Sequence, residues 1–159
     1  MASTTTHAEA PQARDFTTTL HLAAEPAAVY AAVIDPRRWW SRTITGETDH
    51  VGAEFFFEVP GVHRTLFRIT AAEPGRRVAW HAAEAWMGFV ADPEEWTGTD
   101  VTFEIVPREG GTDLHFTHRG LTPDVECYDA CSTAWTSYLH ASLANLAEGR
   151  PGDPNQEGR

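Results

Sequence analysis

Apolar and polar side chains alternate with a period of two along much of this chain, the spacing of strands with one buried face. Phe16, Thr18, Leu20 and Leu22 oppose Thr17, Thr19 and His21 in a first short strand. The same rhythm returns five times. Residues 53–59 set Phe55, Phe57 and Val59 against Glu54 and Glu58, and residues 64–71 set Phe67 and Ile69 against Arg64 and Arg68. Residues 77–83 carry Val78, Trp80 and Ala82 on one face, and residues 100–106 carry Val101, Phe103 and Ile105. Residues 113–118 carry Leu114, Phe116 and His118. Pro60-Gly61, Glu73-Pro74-Gly75 and Gly110-Gly111 supply tight turns between them. Short alternating strands joined this way predict an antiparallel sheet with one wet face.

Two stretches change to a helical period. Pro26 opens a short helix in which Val29, Tyr30, Val33 and Ile34 share a face, and Asp35-Pro36 ends it. Arg37 to Trp40 predict a further turn of helix. Near the C-terminus, Thr122 as N-cap and Pro123 at the first position start a helix of about 25 residues, roughly 37 Å long. Gly149 and Pro151 stop it. Cys127, Tyr128, Cys131, Trp135, Tyr138, Leu139, Ser142, Leu143 and Leu146 fall on one broad face. Such a helix needs a concave apolar surface to lie along, and the strands offer one. Strands in series closed by a helix predict an α+β fold, with the domain over residues 15–150 and flexible ends over 1–14 and 151–159. Residues 84–98 break the strand rhythm with Trp86, Met87, Phe89 and Trp96, and are expected to form a lid or rim, or to hold a further short strand.

Charge narrows the partners. The 159 residues carry 12 basic and 23 acidic side chains, a net charge of -11, which repels phosphate backbones and anionic lipid. Nucleic acid is therefore not an expected partner. No apolar run is long enough for a membrane span, and the first residues lack the basic start and apolar core of a signal peptide. With two cysteines and no disulfide framework, the expected compartment is the cytoplasm.

Phosphate-binding glycine loops, zinc-protease helices and nucleophile elbows are all missing from the sequence. The chemistry left is sparse. Cys127 and Cys131, four apart on a helix, offer half a metal site with His118 as a third ligand, or simply two small buried residues; the expectation is no metal and no cofactor. His118 shares the inward parity of Leu114 and Phe116, so it serves either as a base or as a satisfied interior histidine. Tyr128, Tyr138 and Ser142 bring hydroxyls to the apolar helix face, for a ligand or for the core. Glu94 and Glu95 beside Trp96 form a weak acid candidate, and Arg37-Arg38 a weak anion guide, each with a solvated alternative. Of the six tryptophans, Trp39, Trp40 and Trp86 are the ones expected at a pocket mouth.

The segments EPAAVYAAVIDPRRWW, EWTGTDVTFEIVPREGGTDLHFTHRGL and ECYDACSTAWTSYLHASLANL together resemble the START-like (SRPBCC) superfamily, and within it the group related to the activator of Hsp90 ATPase (AHSA1-like). The resemblance covers roughly residues 15–150. It implies a helix-grip (START/Bet v 1-like) fold, a curved antiparallel sheet wrapped around the long C-terminal helix. It also implies a cavity between the two that takes hydrophobic or amphipathic small molecules. Members of the superfamily bind lipids or plant hormones, or catalyse cyclisations. The lining would then come from Trp39, Phe55, Phe57, Phe67, Trp80 and Phe103, and from Phe116, His118, Tyr128, Trp135 and Tyr138. Two alternatives stay open: a cyclase or dehydratase using His118 and Tyr138, and a chaperone- or stress-type interaction module. A homodimer is compatible with either.

Overall fold

The computed structural model describes residues 14–155. Residues 1–13, most of the expected N-terminal tail, and 156–159 lie outside them. Strand β1 (Phe16–Leu22) leads into helix α1 (Pro26–Val33), then β2 (Thr45–Gly46), β3 (Glu54–Val59), β4 (His63–Glu73), β5 (Arg77–Met87), β6 (Asp100–Arg108) and β7 (Gly111–Arg119). A helical rod closes the chain: α2 (Tyr128–Ser137), a π-helical segment (Tyr138–Leu143) and α3 (Ala144–Ala147). The strands form one antiparallel sheet in the order β1-β7-β6-β5-β4-β3-β2. This curved sheet with its C-terminal helix is the helix-grip α+β fold.

Inward parity follows the sequence pattern in every expected strand. Leu20 and Leu22, Phe55 and Phe57, Phe67 and Ile69, Val78 and Trp80, Val101 and Phe103, and Leu114 and Phe116 are all buried. In α1, Pro26 occupies the first turn, and Val29, Ala32 and Val33 are buried.

Three features differ from expectation. The β4–β5 hairpin is longer than its rhythm suggests, because a register shift between Leu66 and Phe67 skips Ala83 and resets the alternation of β5; a second shift lies between Ile69 and Ala71. The strand therefore continues through 84–87, so the first part of this segment takes the strand alternative and not the loop; Ala85 and Met87 turn inward and Trp86 is 46% exposed. The C-terminal helix starts at Tyr128 rather than beside Pro123. Thr122 instead organises the preceding turn, accepting the Asp124 and Val125 amides.

The third difference is at the C-terminus. Residues from 151 to 155 are docked, not free. Asn155 exchanges backbone hydrogen bonds with Trp40 (2.8 Å) and Arg42 (2.9 Å). Ser142, inside the π-helical segment, donates to the Trp39 carbonyl (2.8 Å) and accepts the Asp153 amide (2.6 Å). One hydroxyl thus ties together the helix, the tryptophan loop and the returning chain. A Cβ on Gly152 would sit 2.3 Å from the Arg38 carbonyl oxygen, so this close approach requires glycine. Among the described residues no helix is long and apolar enough to cross a membrane.

Candidate functional site: a cleft beside the terminal helix

The space between sheet and helix has two parts. The larger is filled. Trp39, Phe55, Phe67, Trp80, Phe103 and Phe116 are each 0% exposed. Their rings interlock edge to face: Trp80 lies 5.0 Å from Phe103 and 5.1 Å from Phe55, and Phe103 lies 5.2 Å from Phe116. These six expected lining residues form the interior itself.

His118 belongs to this filled part. Trp135 Nε1 donates to its Nδ1 at 3.1 Å, and its Nε2 lies 2.9 Å from Thr99 Oγ1. The Thr99 hydroxyl donates its hydrogen to the Trp96 carbonyl (2.6 Å), so His118 Nε2 must be the donor to Thr99. Both ring nitrogens are used and the tautomer is fixed. Burial, and then the nearby His63, push its pKa down to about 3. The imidazole is therefore neutral and has no lone pair left for a substrate proton or a metal.

The smaller part is open. A cleft of about 190 Å³ runs between the β3–β4 hairpin, the loop over 88–99 and the helix. Its walls are Trp40, Phe57, Trp96 and Trp135. Trp40 stacks on Phe57 with centroids 4.2 Å apart, and Trp96 and Trp135 lie nearly parallel. Val62 and Phe89, 43% and 44% exposed, form its rim. Polar groups enter at three points: His63, Cys131, and the pair of Tyr138 with Asn155, whose side chains are hydrogen-bonded. Of the residues expected to line a cavity, Phe57, Trp135 and Tyr138 border this cleft. Tyr128 is half-buried against Phe16, with ring centroids 6.5 Å apart. Of the tryptophans expected at a mouth, Trp40 reaches the cleft, Trp39 is interior and Trp86 projects outward.

His63 contrasts with His118. It sits between the edges of Phe57 (5.0 Å) and Trp96 (4.5 Å) and bonds through Nε2 to Thr65 Oγ1 at 2.8 Å. Its Nδ1 has no hydrogen-bond partner among the described residues. Burial pushes its pKa down to about 4, so the ring is neutral at pH 7. The inward parity of β4, extended one residue upstream of the expected strand, is the signal that would have found it. Asn155 carries no such signal, since its place depends on the chain folding back.

The 88–99 loop is a rim held down at both ends. Glu95 accepts the backbone amides of Glu126 (2.8 Å) and Cys127 (3.1 Å), capping the terminal helix from outside its own chain segment. Glu126 returns the favour, accepting the Ala91 amide at 2.9 Å. The carboxyl of Glu95 is thereby a cap and Glu94 is exposed. Cys127 and Cys131 are free and buried. Their mutual hydrogen bond, then burial, raises the Cys127 thiol well above its usual pKa, which disfavours the thiolate a metal needs. The Trp96 indole N–H points toward the Cys127 sulfur without closing a well-formed hydrogen bond. Arg37 holds the Ile44 and Gly46 carbonyls, and so fixes its own loop. Glu47, Asp49 and His50 bring ligand atoms within 4.8 Å of one another, but all three are exposed and none borders the cleft.

Comparison with known proteins places this geometry. Residues 23–148 match the family model of the activator of Hsp90 ATPase homolog 1-like proteins. Among curated proteins, none matches the chain. The solution structure of the Aha1 dimer from Colwellia psychrerythraea is 26% identical and superimposes with a TM-score of 0.70, covering 85% of this chain and 96% of that one. Protein MLL2253 from Mesorhizobium loti is 20% identical, with a TM-score of 0.63 over 79% of this chain and 91% of its own. Protein CV1439 from Chromobacterium violaceum is 24% identical, with a TM-score of 0.58 over 85% and 98%. The family match spans most of the sequence and the fold agrees with it throughout, so the chain belongs to the AHSA1-like group of the SRPBCC superfamily.

Proposed function

We propose that the protein binds a small hydrophobic or amphipathic molecule in the cleft between the sheet and the C-terminal helix. The observation that carries this reading is an apolar space walled by four aromatic rings inside an otherwise close-packed interior. Its few polar groups suit a ligand that is mostly apolar with one or two hydrogen-bonding atoms. The family supports the reading, because SRPBCC domains often use this position for apolar ligands. Native mass spectrometry of protein purified from its host is expected to reveal a co-purifying small molecule. Quenching of Trp40, Trp96 and Trp135 fluorescence should report its rebinding. Protein that carries no ligand and responds to no compound in a thermal-shift screen of apolar molecules would overturn the proposal.

An acid–base role for His118 and Tyr138 finds no support, since His118 has no free nitrogen. A second reading has one specific observation behind it. Val62 and Phe89 expose apolar surface at the rim, and the Colwellia relative is described as a dimer. A homodimer through this rim is tested by analytical ultracentrifugation. A mass that rises with concentration, and stays monomeric in Phe89→Asp, supports it; a monomer at all concentrations removes it.

A further inference from the structure

The size and polar chemistry of the cleft narrow the ligand class, given that the cleft binds a ligand at all. An engineered apolar cavity of about 150 Å³ is filled by benzene. A cleft of about 190 Å³ therefore suits one ring or two small fused rings, not a long acyl chain. Four of the side chains that line it, Trp40, Phe57, Trp96 and Trp135, are aromatic, which suits an aromatic ligand that packs against ring faces or edges.

His63 supplies the polar selection. Thr65 is 0% exposed, and its hydroxyl has one partner, His63 Nε2. If Nε2 carried the hydrogen, the buried Thr65 hydroxyl would be left with no acceptor among the described residues, an unfavourable arrangement. The satisfied arrangement has Thr65 donating to Nε2, which puts the ring hydrogen on Nδ1. His63 is 8% exposed, borders the cleft, and leaves that Nδ1 donor without a protein acceptor. No lysine or arginine borders the cleft among the described residues, and the chain's net charge is -11. An anionic group entering it would lose its water and gain no full positive charge in return.

We infer that the cleft selects a neutral one- or two-ring aromatic compound bearing an acceptor oxygen, a carbonyl or hydroxyl, which takes the Nδ1 hydrogen of His63. The inference rests on the binding proposal above, and a matched trio of probes separates the two. Indane, 1-indanone and 1-indanecarboxylate share a ring system and differ in the polar group. Binding to the full chain at pH 7.5 is read by saturation-transfer NMR and calorimetry. The expected result is that 1-indanone binds at least fivefold more tightly than indane, and at least tenfold more tightly than the carboxylate. In His63→Phe the ketone's advantage over indane should fall to within twofold. A second measurement needs no variant: in ¹⁵N-labelled wild-type protein, 1-indanone should shift the His63 Nδ1 resonance more than Nε2. Equal binding of indane and indanone, preference for the carboxylate, or an unmoved Nδ1 resonance would overturn the ligand class while leaving a binding cleft. Failure of all three compounds to bind would overturn the cleft as a binding site, and the ligand class with it.

Discussion

The filled and open halves of the sheet–helix space are built from the same materials and behave differently. Both are rich in tryptophan and phenylalanine, and each holds one buried histidine. Around His118 every nitrogen of the ring has a partner, and the neighbouring rings mesh without a gap. Around His63 one nitrogen is spare, and an open space of about 190 Å³ lies beside the rings. The filled half does keep two unpartnered donors, the indole N–H groups of Trp39 and Trp80, but neither ring borders the cleft. The difference shows that aromatic richness does not make a pocket. Unfilled volume beside an unsatisfied polar atom does.

Truncation separates the halves most strongly. Phe103→Ala removes a ring that is 0% exposed and touches Trp39, Trp80 and Phe116. Urea denaturation should show a loss of about 3–5 kcal/mol. A loss below about 1 kcal/mol would mean the interior is looser than its ring contacts indicate.

Acid acts next. In the unfolded chain both histidines take up protons near 6.5, while in the fold His63 resists until about 4 and His118 until about 3. The unfolded state therefore binds more protons in this window, so stability is full above 6.5 and declines as pH falls toward the folded values. His63 alone accounts for about 3 kcal/mol over its 2.5-unit window. Wild type and His63→Phe, denatured in urea at pH 7 and at pH 4.5, should differ in slope, with the variant losing less. Equal losses would place the acid sensitivity elsewhere.

The rim comes third. Glu95→Ala leaves the Glu126 and Cys127 amides at the helix start without their acceptor, at a cost of about 1–2 kcal/mol. Amide exchange should quicken across 88–99 and around 126–128 while the sheet stays protected. Protection unchanged in the loop would show that its other bonds, such as Met87 to the Pro93 carbonyl, suffice to hold it.

These contrasts also mark how far the sequence could be read. The inward faces of six strands, the α1 stripe and the Trp135-centred helix face follow from local periodicity, which packing then enforces. The hydrophobic pattern cannot say whether facing rings mesh or stand apart, because that depends on register. The shift in the β4–β5 pairing that skips Ala83 moves Trp86 outward and Met87 inward, and no composition signal marks it. Tyr138 and Trp135 were visible as cleft residues from their helix face. His63 fell one residue before the strand as its rhythm suggested, and Asn155 reaches the cleft only because Ser142 and Trp40 capture the returning chain.

The smallest stability effect is the most informative about the cleft. Phe89 is 44% exposed, and among the described residues its ring has no aromatic partner. Phe89→Ala should therefore change stability by about 0.5 kcal/mol or less, as for other exposed positions. Its ring nevertheless forms the rim, and removing it uncovers part of any molecule seated in the cleft against Trp96 and Trp135. At about 25 cal/mol for each Å² of apolar surface returned to water, even 40 Å² or so amounts to about 1 kcal/mol, a fivefold loss of affinity. Phe103→Ala should do the reverse, costing stability heavily and touching the cleft only indirectly. A Phe89→Ala protein that binds 1-indanone as tightly as wild type would move the ligand deeper than the rim, while one that unfolds easily would make Phe89 part of the interior after all.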